Sequence, residues 1–324
     1  MSRLGYGDFR NRYMKIAIIG QAAFGEAVLR ALRDAGEEIV AVSSVAGTAE
    51  RPDPLWAAAQ AANVPVFPTG KLKQPDVLAS YAATAPDLCV MAFVTHILPE
   101  RVLTAPPLGT IQYHPSLLPR HRGRSAINWA VRMGDASTGV TIFWVDAGID
   151  TGPILLQREV DIDPDDTVGS LYFDRLFPLG VEALVESVRL VREGNAPHVA
   201  QDESQATYEP PADDVNSAID WAKPAQQVYD LIRGSNPQPG AHAMFRREQI
   251  RIFDSRLSPE AVVGADPGSV HSVGDDGIVI ALNGGSLRAQ RVQPKDGKKI
   301  AASEFAGAVG IKPRDRFENG SVAS

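Results

Sequence analysis

The chain has 324 residues, 44% hydrophobic and 22% charged, a globular composition with length for two domains that rules out a fibre or a disordered tail. A total of 32 Lys and Arg against 39 Asp and Glu leaves a net charge of −7, so no general basic field holds nucleic acid through its phosphates, and such a partner would need a local patch. The single cysteine, Cys89, excludes an internal disulfide and a multi-thiolate zinc site, and its neighbours Leu88, Val90 and Met91 mark it as core rather than nucleophile.

No stretch approaches the roughly 20 apolar residues of a membrane span, and the first thirteen lack the apolar segment of an export signal. The expectation is a soluble, cytoplasmic protein with no membrane partner. Residues 1–13 read as a disordered extension ahead of Met14. Lys15 to Gly20 (KIAIIG) is then a buried strand, Phe24 to Ala35 an amphipathic helix closed by Gly36, and EIVAV (38–42) a second strand. A helix from Asp53 to Ala62, a strand VPVF (64–67) and a helix from Pro75 to Thr84 follow. Further strands are DLCVMAF (87–93), TIQYH (110–114), GVTIFWV (139–145) and ILLQREV (154–160). This alternation implies an α/β fold with a mainly parallel sheet and right-handed crossovers.

One long helix is predicted from Thr167 to Arg192, with Val181, Leu184, Val185, Val188 and Val191 as its apolar stripe and Gly194 as its stop. The polar, proline-rich segment 201–214 has linker composition. Beyond it the pattern changes class: a short helix from Pro224 to Arg233, then short strands at 241–245, 249–254, 268–270, 277–282 and 286–292 joined by Gly, Pro and Asp turns. The domain reading is therefore an α/β domain over 14–200, a linker over 201–214, a small antiparallel barrel over 215–310 and a tail over 311–324.

Three turns are candidates for carrying chemistry. Gly20 to Gly25 (GQAAFG) follows a strand and opens a helix but lacks the middle glycine of a dinucleotide fingerprint, so it reads as a tight strand-to-helix turn. The stretch from Gln112 to Gly123 (QYHPSLLPRHRG) leaves the carboxyl end of a buried strand, where open parallel sheets gather ligands. His114 stands at that end, bracketed by prolines and basic residues too irregular to serve packing alone, and is assigned a catalytic role. In the third, Val145 to Pro153 (VDAGIDTGP), the two carboxylates either make an Asx-turn or send one carboxylate into the site as a histidine partner or general base.

Together, HPSLLPRHRG, SAINW (125–129) and IDTG (149–152), with 36 residues from His114 to Asp150, resemble the folate-dependent formyltransferase family. TYE (207–209), IDW (219–221) and IRGSNPQPGA (232–241) extend the resemblance, which runs from Met14 to about Phe305. It implies a Rossmann-like formyl-transfer domain, an OB-like barrel, 10-formyltetrahydrofolate as formyl donor, and neither NAD nor a metal. By the same resemblance His114 donates to the developing oxyanion or shuttles a proton, Asp150 orients it and takes a proton from the attacking group, and Gln112 occupies the place of an asparagine donor.

The folate site implied by the family comprises Met91, Ala92, Phe93 and Val94, then Ser116, Leu117 and Leu118, with Asp146 and Gly148 opposite. His96 is an ordinary loop histidine, while Arg120, Arg122 and Arg124 either meet an anionic tail or acceptor or brace a loop. Members that formylate methionyl-tRNA resemble this chain less. Glutamine at 112 replaces their asparagine, and Arg51 is the only basic residue over 45–67, where they have a Lys- and Arg-rich loop.

Water is therefore the favoured acceptor, giving tetrahydrofolate and formate. An amine acceptor, methionyl-tRNA before an amino sugar, is the alternative, and a weakly active folate binder is a third reading; tRNA as a partner is disfavoured. A full dehydrogenase is not expected at this length, and the sequence leaves the oligomeric state open.

Overall fold

The computed structural model describes residues 14–48 and 50–320. The expected extension over 1–13 lies outside them. Two compact units interleave along the chain. The first runs to Arg122 and takes in Gly139–Val160 and Arg175–Tyr208; the second takes Gly123–Thr138, Asp161–Asp174 and the described residues from Glu209 onward.

In chain order the elements begin β1 (Lys15–Gly20), α1 (Ala22–Asp34), β2 (Glu38–Ser44), α2 (Pro54–Ala61), β3 (Val66–Pro68), α3 (Pro75–Ala82), β4 (Leu88–Ala92), α4 (Glu100–Leu103) and β5 (Thr110–His114). They continue α5 (Ala126–Arg132), β6 (Ser137–Trp144), β7 (Ile154–Asp161), α6 (Val168–Leu171) and α7 (Phe177–Glu193). Last come α8 (Ala225–Arg233), β8 (Ala241–Phe245), β9 (Glu248–Ser258), β10 (Val270–Gly274), β11 (Gly277–Leu282), β12 (Gly285–Pro294), β13 (Ile300–Ala301) and α9 (Ala302–Val309).

The first seven strands form one sheet in the order β3-β2-β1-β4-β5-β6-β7. The pairs from β3 to β5 are all parallel, and β5 meets β6 antiparallel. Strand order reverses between β1 and β4, so the crevice beyond their carboxyl ends is where such a sheet accepts a ligand. Strands buried on both faces read as unbroken apolar runs, as Ile16 to Ile19 and Leu88 to Ala92 do. In α1, Phe24, Val28, Leu29 and Leu32 form the buried stripe. Gly180 in α7 lets that helix approach closely, because a Cβ there would lie 2.5 Å from Cε2 of Tyr113.

Asp53 ties three elements together. Its carboxylate caps α2 through the amides of Leu55 and Trp56, takes the hydroxyl of Ser44 at the end of β2, and accepts from the amide of Ala22 at the start of α1.

The helix expected over 167–192 is divided. α6 ends at Leu171, a π turn spans Tyr172–Leu176, and α7 restarts with Pro178 in its first turn, where a missing N–H costs nothing. Helices α4, α5 and α9 were not anticipated; α5 begins in the SAINW stretch after Ser125, which is left-handed at a φ of 64° and whose side chain does not cap the helix.

In the second unit the strands form a six-stranded antiparallel sheet, β10-β11-β12-β9-β8 with β13 on β12. Its core includes Trp221, Ile250, Ile252, Phe245 and Phe305. The described residues beyond 310 are not a tail: Phe317 is fully buried, and bridges Ser269 to Arg316 and Met244 to Glu318 attach the segment to both sides of the sheet. The expected linker also divides, because residues up to Tyr208 belong to the first unit and those from Glu209 to the second. Among the described residues no helix is long and apolar enough to cross a membrane.

Candidate functional site

Gln112 and His114 alternate with buried Ile111 and Tyr113 along β5 and therefore project from one face of the strand. Asp150 comes to that face from the turn after β6. Its Oδ1 accepts from Nε2 of Gln112 at 3.2 Å, and its Oδ2 stands 3.5 Å from Nδ1 of His114. Both His114 and Asp150 are buried, so this contact lies away from bulk water. The other ring nitrogen of His114, Nε2, is 2.8 Å from the carbonyl of His121. A carbonyl only accepts, so Nε2 carries a hydrogen and Nδ1 is the nitrogen turned to the carboxylate. At 3.5 Å that pair is looser than a hydrogen bond, a spacing common before a substrate closes a site.

The loop after β5 is keyed to the sheet. Thr141 on β6, in register with His114, donates to the carbonyl of Ser116 and accepts from the amide of Leu118, and Gln157 on β7 donates to both Thr141 and the carbonyl of Leu118. Ser116 is buried with its hydroxyl on the carbonyl of Arg120, Leu118 is buried, and Leu117 is half-buried beside Gly139. The amide of His121 is taken by the hydroxyl of Thr207.

Of the two carboxylates in the turn after β6, only one enters the site. Asp146 is exposed and closes its own turn, accepting from the amide of Gly148 and the hydroxyl of Thr151. Asp150 adopts a left-handed φ of 56°, which lifts its side chain back toward β5. The turn is tight: a Cβ on Gly152 would fall 1.7 Å from the carbonyl oxygen of Trp144.

The three arginines near His114 part ways. Arg122 is 1% exposed and donates to Gln201, to both carboxylate oxygens of Glu203 and to the hydroxyl of Tyr208. The hydrogen bonds it donates to Glu203 outweigh burial and hold its pKa above the ordinary guanidinium value. Arg122 thus braces a loop. Arg120 and Arg124 are exposed.

At the end of β4, Met91 and Ala92 are buried, Met91 in register with Gln112. Phe93 is 44% exposed with a φ of 61°, Val94 is half-buried, and His96 is exposed beside Thr95. Cys89 is fully buried, and burial pushes its thiol up to about 12. It is core.

Thr141, Gln157 and Gln201 escaped the sequence reading, and Thr207 entered it only as part of the TYE motif, with no role at the site. The first had a signal, a hydroxyl inside the apolar run GVTIFWV; Gln201 and Thr207 lie in a stretch whose composition reads as a linker.

Residues 14–188 match the formyl transferase family model and residues 213–309 that of the formyl transferase C-terminal domain. The chain belongs to the formyl transferase family. It is 41% identical over 305 residues to the cytosolic 10-formyltetrahydrofolate dehydrogenase of Xenopus tropicalis, covering 90% of this chain and 34% of that protein. The human cytosolic enzyme is likewise 41% identical, over 307 residues. The chain thus spans about a third of the length of these relatives. The methionyl-tRNA formyltransferase of Symbiobacterium thermophilum is 37% identical over 311 residues, 94% of this chain and 95% of that protein. Among solved structures, HypX from Aquifex aeolicus in complex with tetrahydrofolic acid shares the fold at a TM-score of 0.67 and 19% identity, over 96% of this chain and 51% of that one.

Proposed function

We propose that the protein removes the formyl group from 10-formyltetrahydrofolate with water as acceptor, releasing tetrahydrofolate and formate. The observation that carries the reading is the buried cluster on β5, with Gln112 and His114 converging on the carboxylate of Asp150. In this reading Asp150 takes a proton as a water oxygen bonds to the formyl carbon. His114, its Nε2–H held by the carbonyl of His121, takes that proton from Asp150 at Nδ1 and passes it to N10 of the tetrahedral intermediate. The C–N10 bond then breaks, N10 gains a proton and formate leaves, so both hydrogens of the water are accounted for on N10 and in the medium.

The substrate's pterin ring is assigned to the backbone of Met91, Ala92, Phe93 and Val94, with Ser116 to Leu118 and the turn of Asp146 and Gly148 as the remaining walls. Gln112 favours water over an amine. One of its two amide hydrogens is directed at Asp150, where it steadies the carboxylate, and the asparagine donor of the tRNA-formylating members is replaced. The identity to the dehydrogenases and the scarcity of basic residues over 45–67 support the same choice. A second reading, transfer to the amine of methionyl-tRNA, is favoured by one observation: the match to the Symbiobacterium enzyme extends over 95% of that protein.

An acceptor panel tests the choice. Purified protein with 10-formyltetrahydrofolate alone is expected to release formate; turnover that begins only when charged initiator tRNA or an amino sugar is added overturns water as acceptor. Retention of folate with no turnover on any acceptor would leave only a binding protein.

A further inference from the structure

The segment that opens at Gln201 reads as a linker, yet its first side chain touches both halves of the cluster. Oε1 of Gln201 accepts from Nε and Nη2 of Arg122 at 3.1 and 2.8 Å, while its Nε2 donates to the carbonyls of Asp150 and Gly152 at 2.9 and 2.7 Å. These contacts fix the amide's orientation: the guanidinium only donates and the two carbonyls only accept, so a flipped amide would lose all four. Arg122 is itself immobilised by a two-pronged pairing with Glu203, and it directly follows His121, whose carbonyl holds Nε2 of His114. The chain of contacts closes on itself, from His114 to His121, along the backbone to Arg122, through Gln201 to Asp150, and back to His114.

We infer that Gln201 is a positioning residue for this reaction, a clasp that holds the backbone of Asp150 so that its carboxylate meets Nδ1 of His114. The inference rests on the proposed use of Asp150 as proton acceptor. The backbone of Asp150 occupies the left-handed region at a φ of 56°, which a non-glycine residue holds only where its surroundings impose it, and Gln201 bonds the carbonyl of that very residue. Arg122 serves as the clasp's anchor, its charge satisfied by Glu203 rather than offered to a substrate.

The test compares Gln201→Met, which keeps the bulk and removes all four bonds, with Asp202→Ala, a neighbouring exposed residue whose carboxylate accepts from Ser204 and Gln205. Turnover is measured with the acceptor that the panel identifies, and the ring nitrogens of His114 are followed by NMR in the free protein. Gln201→Met is expected to lower kcat about 10- to 100-fold, the cost of misplacing a reacting group by about an ångström, with KM for the folate within about threefold. It is also expected to shift the Nδ1 signal of His114 while leaving that of His242. Asp202→Ala is expected to change none of these.

A fall in kcat with unmoved His114 signals, moved signals with normal kcat, or an equal loss in Asp202→Ala each overturns the clasp. If wild-type protein turns over no acceptor, the proposed reaction fails, and the NMR comparison alone then decides the clasp: unmoved His114 signals in Gln201→Met overturn it.

Discussion

Asp146 and Asp150 stand four residues apart in one turn and are held in opposite ways. Asp146 is exposed, and its two bonds end within five residues, on Gly148 and Thr151. Asp150 is buried, meets Gln112 and His114 from 38 and 36 positions earlier in the chain, and has its carbonyl held by Gln201 from 51 positions later. Local bonds give the turn its shape, whereas long-range ones bring a carboxylate beside a histidine. A carboxylate that bonds only its own turn in water has no neighbour with which to share a proton.

Substitutions can break this contrast. Asp150→Asn, which keeps the shape and removes the charge, is expected to lower formyl release by about 10²–10⁴-fold, the range for a lost general base, with folate binding retained. Turnover within a fewfold of wild type would remove Asp150 from the reaction. His114→Ala is next, with a loss of about 10²–10³-fold; near-normal initial rates of formate release would sink its role. Gly152→Ala tests whether the turn's tightness matters to Asp150. A Cβ placed 1.7 Å from the carbonyl of Trp144 forces the backbone aside, and a lower melting temperature, with about 1–3 kcal/mol lost, should accompany a drop in kcat. An unchanged melting curve would contradict the close approach.

Smallest of all should be Asp146→Ala. An exposed turn carboxylate is worth about 0.5–1 kcal/mol, so stability and kcat should barely move. A loss of turnover comparable to that of Asp150→Asn would erase the distinction between the two carboxylates. Gln112→Asn sharpens the picture from the other side, because it shortens the amide that reaches Asp150. Formate release in water alone should change little or yield to amine transfer; complete loss of activity would give glutamine a required contact of its own.

Much of this was legible in the sequence. The parallel strands announced themselves as apolar runs, and His114 and Gln112 could be placed at a strand's end because a period of two fixes which side chains share a face. The family resemblance carried by HPSLLPRHRG and IDTG agrees with the family match. Legibility failed where composition misleads. Proline and acidic residues over 201–214 look like a spacer, but Gln201, Glu203, Thr207 and Tyr208 are anchored on the loop that follows β5. Phe317 lay in what reads as a tail and is core, because a single aromatic carries no periodicity to detect. Apolar stripes also ran on through Pro178, hiding the π turn before it.

By itself the sequence determined the class of the fold and the family, and it put His114, Asp146 and Asp150 forward as candidates. Its residue pattern alone did not choose between Asp146 and Asp150, a choice that came only through the family resemblance, nor say whether Arg122 faces a substrate or the interior. Those choices depend on partners up to 86 residues away, such as Tyr208 for Arg122. A local pattern encodes which face a residue presents, and only the folded chain supplies what that face meets.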